Sequence, residues 1–72
     1  NGIEAQTNIL DRGADYWKRL LNWGRQERFL SDRDEGVLIT AASIPDRIPS
    51  EKQALIIIDV ESRMVAEGFP KE

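Results

Sequence analysis

The stretch over residues 49–70 constrains the fold more than any other, because it carries a helix start and a helix stop around the densest apolar run of the chain. Ser50 can accept a hydrogen bond from the backbone of a first helical turn, and Gln53 can reach back to complete a capping box. Gly68 can adopt the left-handed conformation that ends a helix, and Phe69 can then fold back onto the last turn. The proline that follows cannot continue a helix. The segment therefore predicts a helix over residues 51–67.

A strand is the alternative for the middle of this segment, because residues 55–60 are rich in β-branched side chains. Periodicity alone cannot decide such a short run, and the capping signals favour the helix. Most of its apolar residues share one helical face, namely Ala54, Ile57, Ile58, Met64 and Val65. Glu61 falls within that face, so we expect it to reach solvent or to have a partner from the first helix, such as an arginine or a tryptophan N–H.

Apolar residues also recur at helical spacing from about residue 3 to residue 26, which predicts a first helix over residues 3–26. They are Ile3, Ile9, Leu10, Tyr16, Trp17, Leu20, Leu21 and Trp23. Gly13 and Gly24 lie near the centre of this face. A break near Gly13 is one interpretation, since glycine weakens a helix interior. We prefer the other, in which both glycines allow close packing against another helix.

Ser31 and Asp34 have the spacing of a second capping box, and they predict a helix over residues 32–44. Its expected buried face consists of Val37, Leu38, Ala41, Ala42 and Ile44. Ile39 lies outside that face. The two prolines that follow end the helix, and Ile48 between them is predicted to enter the core.

These patterns predict an all-α fold, a small three-helix bundle that forms a single domain over residues 1–72. A chain of this length buries only about 60% of its unfolded surface, so its stability is marginal. It has no cysteine for a disulfide, which also fits a reducing compartment, and we therefore expect a cytoplasmic protein. No apolar run approaches the ~20 residues of a membrane span, so no membrane is expected as a partner.

The side chains that most often carry enzyme chemistry are absent from the sequence. It contains no histidine and no cysteine, which removes the commonest general base and the strongest nucleophile. Residues 32–36 resemble the start of a calcium-binding loop, but Gly36 comes one position early and Ser43 stands where the bidentate glutamate belongs. We therefore expect no enzyme activity, no catalytic residues, no cofactor and no metal site.

Nucleic acid is not expected to be a partner of this segment alone, because 13 acidic residues outnumber 10 basic ones and the net charge is −3. Four of the five basic residues among the first 30 form only a mild patch, namely Lys18, Arg19, Arg25 and Arg28. The link between the last two predicted helices is longer than the turn of about three or four residues in a helix-turn-helix motif. A nucleic-acid-binding accessory domain is nevertheless kept as the alternative function.

Three apolar residues are candidates for an interface. Trp23 lies at the edge of the first apolar face, where its indole N–H can stay in contact with water. Ile39 and Ile56 each fall on the polar side of their helix. If these two helices pack together, the isoleucines form one contiguous patch that Trp23 borders. The pattern predicts a non-catalytic interaction domain that binds a protein, either the rest of a parent chain or a second copy of itself.

Much of the chain resembles C-terminal segments of bacterial multidomain proteins. The similar positions are Trp17, Leu20, Trp23-Gly24, Phe29-Leu30-Ser31, Leu38, Ala41, Ile44-Pro45, Ile48-Pro49-Ser50-Glu51-Lys52-Gln53 and Glu67-Gly68-Phe69. The run resembles the abortive-infection phage-resistance (AIPR) family, and similar tails occur in some helicase-related proteins. The resemblance implies a non-catalytic accessory module of a larger bacterial protein that handles nucleic acid or phage defence. It carries over no functional residue.

Overall fold

The computed structural model describes residues 1–71 and is all-α, as the sequence predicts. Within these residues there are four helices, not the three that were predicted. They are α1 (Gly2–Arg12), α2 (Ala14–Glu27), α3 (Asp32–Ala42) and α4 (Glu51–Ala66). The difference arises because the predicted first helix is divided into α1 and α2. The other two predicted helices are confirmed, with ends that differ by one or two residues.

The division between α1 and α2 lies at Gly13, whose φ of 85° and ψ of 158° are accessible almost only to glycine. A Cβ atom added there would meet no atom within 4 Å. The preferred interpretation of close packing is therefore wrong for Gly13, and the break is confirmed. Trp17 ties the two helices together, because its indole nitrogen donates a hydrogen bond of 3.0 Å to the carbonyl oxygen of Ile9 in α1.

Gly24 does allow close packing, but not against another helix as was expected of both glycines. A Cβ atom at this position would lie only 2.7 Å from the side chain of Leu30. The neighbour is the chain that follows α2 and not another helix. Gly24 thus lets the connection to α3 lie directly against α2.

Both predicted capping boxes are present. The Ser31 hydroxyl accepts a hydrogen bond of 3.1 Å from the backbone N–H of Asp34 at the start of α3. At the start of α4 the Ser50 hydroxyl accepts one of 3.1 Å from the N–H of Gln53, whose side chain accepts the N–H of Ser50 at 2.9 Å. These bonds satisfy backbone donors that have no partner within the helix.

The helices are arranged so that α1 and α4 run side by side in the same direction. A Cβ atom added at Gly2 would lie 2.5 Å from the Cβ atom of Glu51, so the two helices begin close together. The Gln6 side chain also donates a hydrogen bond of 2.9 Å to the carbonyl oxygen of Pro49. α3 runs antiparallel to α4, because Asp34 at its start bonds to Arg63 near the end of α4. The core between the helices includes Ile9, Tyr16, Trp17, Leu20, Leu38, Ala41, Ile57, Val60, Met64 and Phe69.

Two parts of the predicted core are wrong. Ile48 is 59% exposed, and its neighbour Pro49 is buried in its place. On α4, Val65 is exposed and Ile58 is only half-buried, while Val60 lies fully in the core. The buried face of α4 is therefore rotated relative to the predicted one. Among residues 1–71, no helix combines the length and the apolar character that crossing a bilayer requires.

Candidate interaction surface

Three aromatic rings form a cluster, hereafter the aromatic cluster, that extends from the core to the surface. The ring centroid of Trp23 lies 5.7 Å from that of Phe69 and 5.8 Å from that of Phe29. Phe69 is buried, Trp23 is half-buried and Phe29 is 40% exposed. The cluster therefore offers aromatic surface that is supported by the core beneath it.

Phe29 and Phe69 are placed by two equivalent helix ends. Each follows a residue with positive φ, which is Arg28 with 61° after α2 and Gly68 with 117° after α4. The Phe29 N–H donates to the carbonyl oxygen of Gly24 at 3.0 Å, and the Phe69 N–H donates to that of Met64 at 2.9 Å. Both hydrogen bonds belong to the pattern of the Schellman motif, in which the chain turns back over the end of its helix.

A groove of about 210 Å³ adjoins the aromatic cluster and is called the Phe29 groove here. Its lining consists of Phe29, Arg63, Met64, Ala66 and Glu67. The Arg63 side chain is held in place by Asp34, because its two terminal nitrogens donate to the two carboxylate oxygens of Asp34 at 3.1 and 3.3 Å. Asp59 accepts a further bond of 3.2 Å from the Arg63 Nε.

The Asp34 carboxylate is buried, and burial alone would raise its pKa. The hydrogen bonds from Arg63 and from the backbone and side chain of Ser31, together with the guanidinium charge, outweigh burial and lower the pKa below its usual value. Asp34 is thus ionised at neutral pH. It serves both as the capping-box residue of α3 and as the anchor of Arg63.

The three predicted interface residues have different surroundings. Trp23 belongs to the aromatic cluster. Ile39 is 40% exposed on α3. Ile56 is half-buried and packs against the core, so it is not the solvent-facing residue that was expected. It lies two helical turns before Arg63 on the same side of α4. Because Arg63 bonds to Asp34 on α3, this side of α4 faces α3. A patch shared by all three residues stays a prediction.

Phe29 was not among the predicted interface residues, although its ring lies next to that of Trp23. The usual signal for a chain reversal after a helix is glycine, and here Arg28 adopts the left-handed conformation. A phenylalanine directly after the last turn of a helix is the signal that could have indicated it. For Phe69 the preceding glycine gave that signal, and its predicted return to the last turn of α4 is confirmed.

Glu61 lies in a second polar arrangement, between α2 and α4. Its carboxylate accepts a hydrogen bond from the Tyr16 hydroxyl. The expected partner from the first predicted helix is therefore present, but it is a tyrosine and not an arginine or a tryptophan N–H. Burial raises the pKa of Tyr16, and the bond to Glu61 and its negative charge raise it further. The guanidinium carbons of Arg12 and Arg19 lie 4.7 and 5.5 Å from the centre of the tyrosine ring.

No group of three or more potential metal-binding side chains occurs within residues 1–71. Searches of family models, curated proteins and solved structures found no match to this chain.

Proposed function

We propose that this chain is a non-catalytic helical interaction domain that binds a protein surface through the aromatic cluster and the Phe29 groove. The exposed ring of Phe29, which packs at a tilt against Trp23 at the rim of a groove, is the observation that carries the proposal. Aromatic residues and arginine are enriched where proteins meet, and this surface combines Trp23, Phe29 and Arg63.

Rigidity favours binding at this surface. Trp23 is supported by Phe69, and Arg63 is held by Asp34, so neither side chain loses much conformational freedom when a partner binds. An arginine and a tryptophan are also the side chains that most often dominate binding energy. The expected mechanism is burial of the exposed face of Phe29 in an apolar pocket of the partner, with Arg63 oriented at the edge.

The proposed partner is another part of a larger parent polypeptide, and a second copy of this chain is the other possibility that the experiment covers. The resemblance to the AIPR family and to helicase-related tails supports this choice, since it implies an accessory module in a bacterial protein of phage defence. The bacterial origin and the cytoplasmic location belong to the same proposal.

Phe29→Ser tests the proposal, with Ile48→Ser as the matched control. Both residues are exposed and apolar, but Ile48 lies outside the aromatic cluster and the Phe29 groove. We expect Phe29→Ser to reduce concentration-dependent self-association in sedimentation velocity or, in the full-length polypeptide, to speed release of the domain by limited proteolysis. The proposal fails if the chain stays monomeric at all concentrations and both variants are cleaved like the parent.

The alternative of a nucleic-acid-binding accessory domain has less support. Arg25 is paired with Glu35 at 2.8 Å, so one cation of the mild basic patch is already engaged by a carboxylate. Mixed DNA and RNA distinguish the two functions. Binding that weakens steeply as salt increases would favour the alternative, because it reports the release of counterions from phosphates.

A further inference from the structure

A second cavity, of about 430 Å³, lies between α1 and α4 and is called the Glu61 cavity here. Its lining consists of Asn8, Asp11, Arg12, Trp17, Ile58, Glu61 and Lys71. This volume is within the range of about 300–1,000 Å³ that is typical of small-molecule sites. The aromatic cluster contributes no residue to this lining, so the cavity is separate from the surface of the proposed function.

The Glu61 carboxylate is fixed in this cavity before any ligand arrives. The Tyr16 hydroxyl donates to one of its oxygens. Tyr16 is itself immobilised, because it is buried and its ring meets the indole of Trp17 edge-on at 4.8 Å. The ion pairs found among residues 1–71 do not include Glu61. Its negative charge is therefore oriented by a neutral partner and is not neutralised by a protein cation.

Charges of both signs surround the cavity. Asp11 and Glu61 supply two carboxylates, and Arg12 and Lys71 supply two cations. Trp17 also lines the cavity but is fully buried, so Ile58, which is half-buried, supplies the apolar surface that a ligand can reach. A ligand with a single charge would be attracted by one pair and repelled by the other, whereas a ligand with both charges can satisfy both.

We infer that the Glu61 cavity binds a small zwitterion with an apolar side chain, either a free amino acid or a dipeptide. The ammonium group of the ligand would donate to Glu61, its carboxylate would meet Arg12, and its side chain would lie on Ile58. The orientation of Glu61 by Tyr16 lowers the cost of ordering the site, which is the advantage of a preorganised acceptor.

Titration of the 15N-labelled chain with four compounds tests this inference by NMR. L-leucine carries both charges, leucine amide lacks the carboxylate, N-acetyl-leucine lacks the ammonium group, and leucyl-leucine is the dipeptide. We expect saturable shifts at the amides of Asn8 and Glu61 with leucine or leucyl-leucine, and clearly weaker binding of the two singly charged compounds. Whichever zwitterion binds more tightly identifies the source of the ligand.

Glu61→Gln is the variant that tests the role of the carboxylate, because it can still accept the Tyr16 hydroxyl while it loses the charge. We expect it to weaken binding of the zwitterion about tenfold or more, as is typical for loss of a charged hydrogen bond. Glu27→Gln makes the same change at an exposed residue that does not line the cavity, and it should bind like the parent.

The inference is overturned if none of the four compounds gives saturable shifts in the parent chain. It is equally overturned if leucine amide binds as tightly as leucine, or if Glu61→Gln binds as tightly as the parent. The comparison of compounds uses the unmodified chain, so it remains decisive even if the variant does not fold.

Discussion

Asp34 and Arg63 join the beginning of α3 to the end of α4 through two hydrogen bonds of 3.1 and 3.3 Å. Asp34 is buried, whereas 43% of the Arg63 side chain is exposed. One carboxylate therefore caps a helix, connects two helices and orients a cation at the Phe29 groove. The fold and the proposed interface depend on the same pair.

This pair should make the stability of the fold depend on pH. The pKa of Asp34 is lowered in the folded chain, so its ionised form stabilises the fold above the unfolded-state pKa of about 3.9. The contribution is lost as the pH falls through that value towards the lower folded-state pKa. Asp34→Asn should cost about 1–3 kcal/mol at neutral pH and should flatten the acid dependence of urea unfolding.

Asp32→Asn is the control, because Asp32 lies in the same first turn of α3 but is exposed. It should leave the acid dependence close to that of the parent. If Asp34→Asn and the parent lose stability equally between neutral and acidic pH, the pair does not supply the predicted linkage.

The conformation of Gly13 gives a second prediction. Alanine there must adopt a φ of 85° with a ψ of 158°, and such strain costs about 1–3 kcal/mol. For a domain of this size each kcal/mol corresponds to roughly 4–8 °C in Tm. Gly36→Ala is the matched control, since Gly36 lies in the interior of α3 with no atom within 4 Å of an added Cβ.

Gly36→Ala should raise stability by about 0.5–1 kcal/mol, because alanine is the better helix residue. The two substitutions are chemically identical and are expected to shift Tm in opposite directions. A Gly13→Ala variant as stable as the parent would mean that α1 and α2 can form the continuous helix that their shared apolar face suggests.

The parts of the fold that could be predicted are those with local signals. The boxes at Ser31 and Ser50 and the return of Phe69 each depend on a few neighbouring residues, and all three are present. The break at Gly13 could not be predicted with the same security, since the apolar periodicity continues across it. Glycine permits the break without requiring it. The hydrogen bond from the Trp17 indole to the Ile9 carbonyl oxygen stabilises the arrangement of the two separate helices, and local periodicity does not indicate it.

The candidate surface could be predicted only in part, for a related reason. Periodicity places Ile56 on the side of α4 opposite its main apolar face. Periodicity does not show that α3 covers that side. The bond between Asp34 and Arg63, which joins residues distant in sequence, decides this. Phe29 escaped prediction because an arginine, not a glycine, reverses the chain before it.

Ser50 gives a third prediction. Its hydroxyl accepts from the N–H of Gln53 at 3.1 Å, and its own N–H is satisfied by the Gln53 side chain at 2.9 Å. Ser50→Ala should cost about 1 kcal/mol, as loss of a cap typically does. Thermal unfolding followed by circular dichroism would measure it. Ser62→Ala, at an exposed position inside α4, should not lower Tm, and equal effects of both changes would argue against the cap.

Arg28 gives a fourth prediction, in the stabilising direction. It adopts a left-handed conformation with φ 61° at the end of α2, which is unfavourable for a residue with a Cβ atom. Arg28→Gly should relieve that cost and raise stability by up to about 1 kcal/mol. Arg28→Ala, which removes the charge but keeps the Cβ atom, should not. A gain of the same size in both variants would assign the effect to charge.

The last prediction separates Ile39 from Ile56. Ile39 is 40% exposed, so Ile39→Glu should change the free energy of unfolding by no more than about 0.5 kcal/mol, as surface substitutions usually do. Ile56 packs against the core on the side of α4 that faces α3, so Ile56→Glu places a charge in a partly buried site and should cost several times more. Urea unfolding of the two single variants would show the difference.

Ile39→Glu is then the usable probe of the predicted patch, because it leaves the fold intact. If the patch contributes to binding, this variant should weaken self-association or docking in the same assays as Phe29→Ser. Binding that is unchanged by Ile39→Glu but lost in Phe29→Ser would confine the interface to the aromatic cluster and the Phe29 groove. In that case Trp23 would be the one residue of the original three that takes part.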